Sequence, residues 1–515
     1  MALAIIGAPA VLQAPINPYD GGWLLTLSRF TSLSMVPYRD LGTMYGPGPP
    51  IYGSILMHIF GRGTLPVRLG FLAVQAALAL IVYLLARRFV GRWAAVALSV
   101  PIATIAASQS HFHFAWSLLL VLWGIWFVLR SEERHERQAK PIAIGAFLMG
   151  MSFWGRYEFV PFAAVLVVLT WWWLRPNLGR GARWVLIAGL TPPTLFGAYL
   201  LGVVGLERVW LDLVEFPARF YPRSDCRGLQ PAWGAAWEAL LAPLRGRIWT
   251  DHEVVLSIGT FGPPIVAGVT LALSAVHLRR RQIRGLAMAL AGLTVAFLWL
   301  EHRARAGAEP EPVWAPMMIS LAMLVSLLRS RWARGLTLGL LSAMIIPTII
   351  TSWAPRNLAV WTNWPRYDRL YGFADLDETF LFHRQKWERL TRVVHLYAGP
   401  DEPIFVALSI NTGHFANMPI FYWVVDRPPG SRYIGFQPCL TDRAPVQREI
   451  VRELAGTDVI IQVPYFGNPP PPIARPSTVL DDYFQDRFDT VYEDTVLYEN
   501  DIAVLLRRSS DGRSL

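Results

Sequence analysis

Two carboxylates stand near the start of an otherwise apolar chain, Asp20 and Asp40, in the stretch NPYDGGWLLTLSRFTSLSMVPYRDLGTMYGPGPP at 17–50. An aspartate has an ordinary pKa of about 3.9, so it is ionised at neutral pH and can take a proton from a hydroxyl nucleophile. Asp20 precedes Gly21 and Gly22, and then Trp23, Leu24, Leu27 and Phe30 at helical spacing. The same placement suits a helix N-cap, because an Asp side chain accepts from the open amides of a first turn. Both readings of Asp20 stand, and one residue can serve both. Asp40, in PYRD, suits a turn or a binding pocket. YGPGPP (45–50) then predicts a rigid bend, since Pro fixes φ and Gly allows close backbone approach.

Chemistry at a phosphate needs a cation, and a positioned guanidinium stabilises charge that builds on a phosphate oxygen. Arg156 stands in SFWGRYEFV (152–160), with Glu158 two residues on, and Arg303 and Arg305 stand in EHRARAGAEPEP (301–312). Each has a plain alternative: a pair at a membrane surface for Arg156 and Glu158, a solvated loop for Arg303 and Arg305. His111 and His113 in SQSHFHF could enter a metal site, but no third ligand follows at metal-site spacing, and interfacial histidines are the expected reading. The two cysteines, Cys226 and Cys439, build neither a disulfide framework nor a metal cluster; one bridge between them stays open. No cofactor is indicated, and a divalent metal is left open.

The elements that must position these residues are mostly hydrophobic. Of 515 residues 53% are hydrophobic and only 16% charged, against about 25% in an ordinary soluble domain. Segments near the 20 residues of a membrane span lie at 66–86, 93–109, 113–129, 141–155, 159–174, 184–204, 255–278, 285–300, 313–328 and 335–350. The opening MALAIIGAPAVLQAP is apolar as well, yet short and Pro-rich for a span, and an upstream start is the favoured expectation.

Five connectors, at 86–92, 130–140, 175–183, 279–284 and 329–335, are short and basic, and every second connector is one of them. Arginine-rich connectors face the cytoplasm, so the net charge of +10 reads as topology and not as a nucleic-acid surface. Asp20, Asp40, Glu158 and the acids of 207–253, 301–311 and the tail then share the opposite face.

The expected fold is an α-helical polytopic membrane protein of about eleven transmembrane helices over 1–350, with outside loops at 17–65 and 205–254, followed by an extracytoplasmic α/β domain at 351–515. In that tail PIFVALS (403–409), FYWVVD (421–426) and DVIIQV (458–463) read as buried strands, and APVQREIVRELAG (444–456) as an amphipathic helix. The segment 488–508 reads as a hairpin turned at END, and GNPPPPIARP (467–476) as a surface loop. FGPPIV (261–266) is expected to break one membrane helix.

An acid after the first apolar segment, an amphipathic helix, PYRD and then YGPGPP leading to the next span together resemble the GT-C superfamily of membrane glycosyltransferases, such as protein O-mannosyltransferases and aminoarabinose transferases. The resemblance covers 1–350 in layout and 17–50 in motif. It implies a GT-C-like fold and a sugar moved, with inversion, from a polyprenyl-phosphate donor to an extracytoplasmic glycan, lipid or protein acceptor. It implies Asp20 as the catalytic acid of the first loop and Asp40 as a second one. Tyr45 would shape the sugar pocket, and Arg156 and Glu158, with Arg303 and Arg305, would bind the donor. Many members carry two adjacent acids where this chain has Asp20-Gly21, which weakens the case for a metal site. The implied setting is the cytoplasmic membrane, with site and tail on its outer face. A transporter or flippase of lipid-linked sugars is the alternative, although no acid lies in mid-span and no repeat is visible.

Overall fold

A computed structural model describes residues 20–43, 45–104, 112–133, 139–156, 159–210, 215, 251–279, 283–304, 311–328, 335, 384–408, 419–435, 441, 443–463, 478–497 and 500–508, some of them, Asp20 included, by backbone alone. The first loop holds two helices, α1 (Asp20–Ser32) and α2 (Gly48–Phe60). Nine apolar helices follow: α3 (Thr64–Ala86), α4 (Arg92–Thr104), α5 (Phe112–Glu133), α6 (Ala139–Met151), α7 (Phe159–Leu178), α8 (Ala182–Tyr199), α9 (Asp251–Arg279), α10 (Ile283–Ala304) and α11 (Glu311–Leu327). They fall on nine of the ten expected spans; the tenth, 335–350, and the opening apolar segment lie outside the described residues. Among the described residues three stretches are long and apolar enough to cross a membrane, Thr64–Ala86, Phe112–Ser131 and Ala182–Val204, beside several shorter apolar helices. The protein is a helical, multi-pass membrane protein.

The chain divides into two compact units. One comprises Met1–Val11, Phe71–Tyr199 and Leu229–Asn363 and holds most of the apolar helices. Lipid offers helices no hydrophobic reason to associate, so close backbone approach carries much of the packing. A Cβ on Gly124 of α5 would lie 2.8 Å from the carbonyl oxygen of Gly145 on α6, and one on Gly145 would lie 2.7 Å from that of Gly124. Helices α7 and α8 leave Val168, Trp172, Trp184 and Leu195 exposed, as lipid-turned faces require. Helix α9 does not break at FGPPIV: it runs on through Pro263 and Pro264. Pro removes one backbone donor and strains the turn, and membrane helices tolerate both where neighbouring groups satisfy the freed carbonyls. In α8, Pro192 and Pro193 free the Ala188 and Gly189 carbonyls, and the flanking Thr191 and Thr194 hydroxyls donate to the neighbouring Ile187 and Leu190 carbonyls at 2.7 and 2.9 Å.

The other unit comprises Leu12–Gly70, Leu200–Gly228 and Trp364–Leu515, so the first loop packs with the tail. Its described tail elements are α12 (Arg384–Tyr397), β1 (Ile404–Leu408), α13 (Ile420–Val424), α14 (Ala444–Glu453), β2 (Val459–Val463), α15 (Val479–Arg487), β3 (Phe488–Leu497) and β4 (Asn500–Arg507). The sheet order is β1-β2-β4-β3, with β1 parallel to β2 and the other pairs antiparallel. A parallel pair needs a crossover, and α14 lies within it, burying Val446, Gln447 and Ile450 at helical spacing. A capping box in which the Thr478 side chain accepts from Asp481 N–H at 3.2 Å starts α15, which buries Leu480 and Phe484. The expected strands at 403–409 and 458–463, the helix at 444–456 and the hairpin are all present.

FYWVVD is the exception: its apolar run forms the helical turn α13 and not a strand. All five α13 residues are buried, so an uninterrupted apolar run fits a buried turn as well as a buried strand. The Tyr422 hydroxyl accepts from Val406 N–H at 2.9 Å, and the Ile404 carbonyl accepts from Gly430 N–H at 2.7 Å. These contacts cover the outer edge of β1, which would otherwise present open backbone groups.

Candidate functional site

The acid-bearing loop begins with α1, whose first helical residue is Asp20; the Asp20 side chain lies outside the described residues. Leu24, Leu27 and Phe30 are buried as the spacing predicts. A tight turn follows, in which Tyr38 N–H donates to the Leu41 carbonyl at 2.8 Å. Asp40 sits in it under three donors. Val36 N–H reaches Oδ2 at 2.8 Å, and Arg39 grips both oxygens, Nε on Oδ1 and Nη2 on Oδ2, each at 2.8 Å. The Arg39 guanidinium holds the carboxyl below its ordinary 3.8; partial burial opposes the shift and the Val36 amide reinforces it. Asp40 is therefore ionised at neutral pH, and its lone pairs are engaged in shaping the turn.

Tyr38 is fully buried with φ +69°, a left-handed conformation that is costly for a bulky residue and persists only where neighbours enforce it. Its hydroxyl donates to the Tyr45 carbonyl at 2.6 Å, while Tyr45 N–H donates to Thr43 Oγ1 at 3.0 Å. The Tyr45 ring meets the indole of Trp23 edge to face at 6.3 Å. The expected bend at 45–50 resolves into α2, with Pro47 as N-cap and prolines in its first turn, where their missing N–H groups are no loss.

In the other unit Arg156 follows the 3-10 turn Ser152–Trp154 that ends α6 and is 1% exposed. Its guanidinium lies 3.8 Å above the ring of Phe114. Phe159 and Phe297 meet at 4.9 Å, and Phe162 stacks on Phe297 at 4.4 Å. A guanidinium stacked on an aromatic ring keeps its N–H donors in the plane, at its edges. Gly155, just before it, lies so close to α5 that an added Cβ would be 2.8 Å from the His113 carbonyl oxygen. His113 itself is buried.

Asp40 thus lies in the turn and Tyr45 is tied to it through the Tyr38 hydroxyl, while Arg156 is built into a buried aromatic setting. Glu158, Arg305, His111, Cys226 and Cys439 lie outside the described residues, and so does the Arg303 side chain, although its backbone ends α10. Among the described residues no group of three or more His, Cys, Asp or Glu side chains could hold a metal ion. Sequence reasoning missed Arg29, which pairs with Asp426, and the buried Arg68, Arg427 and Arg432. Asp426, Arg427 and Arg432 stand in DRPPGSRYIGF (426–436), whose Gly and Pro content reads as a solvated loop.

No protein-family model and no curated protein matches the chain. Solved structures do. ArnT from Cupriavidus metallidurans, in a crystal structure bound to undecaprenyl phosphate, matches with TM-score 0.52 and 12% identity over 100% of this chain and 98% of that one. The apo structure of the same protein matches with TM-score 0.50 and 11% identity, covering 98% and 96%. The Archaeoglobus fulgidus oligosaccharyltransferase, in complex with Zn and sulfate, matches with TM-score 0.51 and 14% identity over 90% of this chain and 68% of that one. Identities this low speak to architecture alone, and on that architecture the chain has a GT-C-like fold.

Proposed function

We propose that the chain is an integral membrane glycosyltransferase that moves a sugar from a polyprenyl-phosphate donor to a hydroxyl acceptor outside the cytoplasmic membrane. The observation that carries this reading is the end-to-end likeness to ArnT, solved with undecaprenyl phosphate bound. Asp20 acts as general base on the acceptor hydroxyl. The acceptor oxygen bonds to the anomeric carbon as the bond from that carbon to the phosphate oxygen breaks, so the anomeric configuration inverts. The proton goes to Asp20, and polyprenyl phosphate leaves with the bonding electrons. Arg156 stabilises that phosphate, together with Arg303 and Arg305, and Glu158 orients Arg156. Asp40 and Tyr45 shape the sugar pocket. An Asp40 already held by three donors is a weak base, which supports giving the proton transfer to Asp20.

Full-length protein in lipid, given a panel of radiolabelled polyprenyl-phosphate sugars and a cell-envelope acceptor extract, tests the reading. Label transferred to the acceptor supports it. Label that stays on the lipid but changes leaflet assigns the chain to the flippase alternative.

A further inference from the structure

The turn that carries Asp40 is gripped at two points by one residue far along the chain. Gly42 N–H donates to the Arg432 carbonyl at 2.7 Å, and Arg432 Nη1 donates to the Tyr38 carbonyl at 3.3 Å. The first contact depends on glycine, because a Cβ at position 42 would lie 2.8 Å from that same Arg432 oxygen. The grip therefore spans both ends of the turn and bears directly on Tyr38, the residue held at positive φ.

Arg432 is itself fixed. It is 4% exposed, its guanidinium lies 4.6 Å above the Tyr433 ring, and Nη2 donates to the Tyr433 hydroxyl at 2.9 Å. That hydroxyl donates in turn to Glu449 Oε2 at 3.0 Å, while Glu449 Oε1 is 3.5 Å from Arg432 Nε. One turn further along α14, Glu453 Oε2 accepts from Arg432 N–H at 3.1 Å and from the Ser431 hydroxyl at 2.6 Å. Glu449 and Glu453 are four apart and so share one helix face. The same tail segment also holds α1. Thr26 Oγ1 donates to the Pro419 carbonyl at 2.7 Å, Arg29 pairs with Asp426, and a Cβ on Gly22 would lie 3.0 Å from Ile420 N.

We infer that Arg432 is a positioning residue for the acid-bearing loop: the α14 carboxylates hold Arg432, Arg432 holds the 38–42 turn, and the turn sets Asp40. The inference rests on the glycosyltransferase reading for its kinetic consequence, not for its structural one. The tail then serves as the frame of the first loop, and Arg432 touches neither sugar nor phosphate.

Full-length Arg432→Lys, Gly42→Ala and the double variant, each in lipid, test this by hydrogen exchange of peptides and by transfer kinetics. Expected in each single variant is faster exchange at 36–42 with native protection at 459–463. Turnover should fall about 10-fold or more while the donor KM stays within about twofold, because misplacing a group costs rate more than ground-state binding. The double variant should cost less than the two singles added together, since the two contacts hold one and the same turn. Unchanged exchange at 36–42 in folded Arg432→Lys overturns the inference. So does faster exchange with unchanged turnover, or a raised donor KM at constant turnover, which would make Arg432 a donor-binding group. Should Arg432→Lys also lose protection at 459–463, Gly42→Ala decides by the same criteria, since it leaves every tail residue in place. A native protein that transfers no sugar from any donor sinks the transferase reading, and the exchange comparison still reports on the grip.

Discussion

Asp40 shows how one side chain can be legible in type and not in use. PYRD marks a turn with a carboxylate, and the structure has both. What the sequence hides is that neighbouring Arg39 takes both oxygens, because nothing in the order Arg-Asp says which way either side chain turns. The pKa of Asp40 lies below 3.8, so its contribution to stability is fully present above that pH and is lost as pH falls through the folded value. Thermal melts of the native protein and Asp40→Asn should therefore differ by a constant gap from pH 8 to 5, narrowing below 3.8. A gap that varies between pH 5 and 8 would point to another group. Arg156 was legible as an arginine in a connector expected outside, but its burial against Phe114 was not, since aromatic residues abound throughout the chain. Arg156→Lys keeps the charge and loses the flat stack and the paired donors. Donor KM is expected to rise about 10-fold or more, in line with the strength of charge-assisted guanidinium contacts.

Helices were the most legible elements, because an apolar run of span length bounded by arginines has few other uses. Nine expected spans have helices on them, and α9 shows the limit of the method, since Pro263 and Pro264 were read as a break and the helix runs through. The pairing of helices was not legible. Gly124 and Gly145 are two among 40 glycines, and only their juxtaposition makes them an interface. Gly145→Val should force α5 and α6 apart and lower stability by about 1–3 kcal/mol, read as a fall in melting temperature in detergent. In the tail, the strands at 404–408 and 459–463 were readable from their apolar runs, and α13 was misread because a wholly buried segment has no period to betray it. Thr478→Ala removes the side-chain arm of the α15 capping box, leaving the Thr478 N–H to Asp481 arm, and should cost about 1 kcal/mol, seen as earlier unfolding of peptides at 479–497 in hydrogen exchange.

Taken whole, the chain joins its beginning to its end. Residues 12–70 and 364–515 fall in one compact unit, through contacts such as Thr26 with Pro419 and Gly42 with Arg432. Sequence reading separated an outside loop from an outside domain, since contacts across nearly four hundred residues leave no local trace. The GT-C-like architecture was legible because helix count, charge alternation and the 17–50 motif all point the same way. Whether that architecture moves sugar turns on Asp20, which stands at the start of α1 and, in this account, is the base. Sugar transfer by the full-length protein in lipid, native against Asp20→Asn, is the measurement to make first, with folding and donor binding matched between the two. The account predicts transfer by the native protein and a loss of about 100-fold or more in Asp20→Asn, the scale of a missing general base. Equal transfer by both would contradict it.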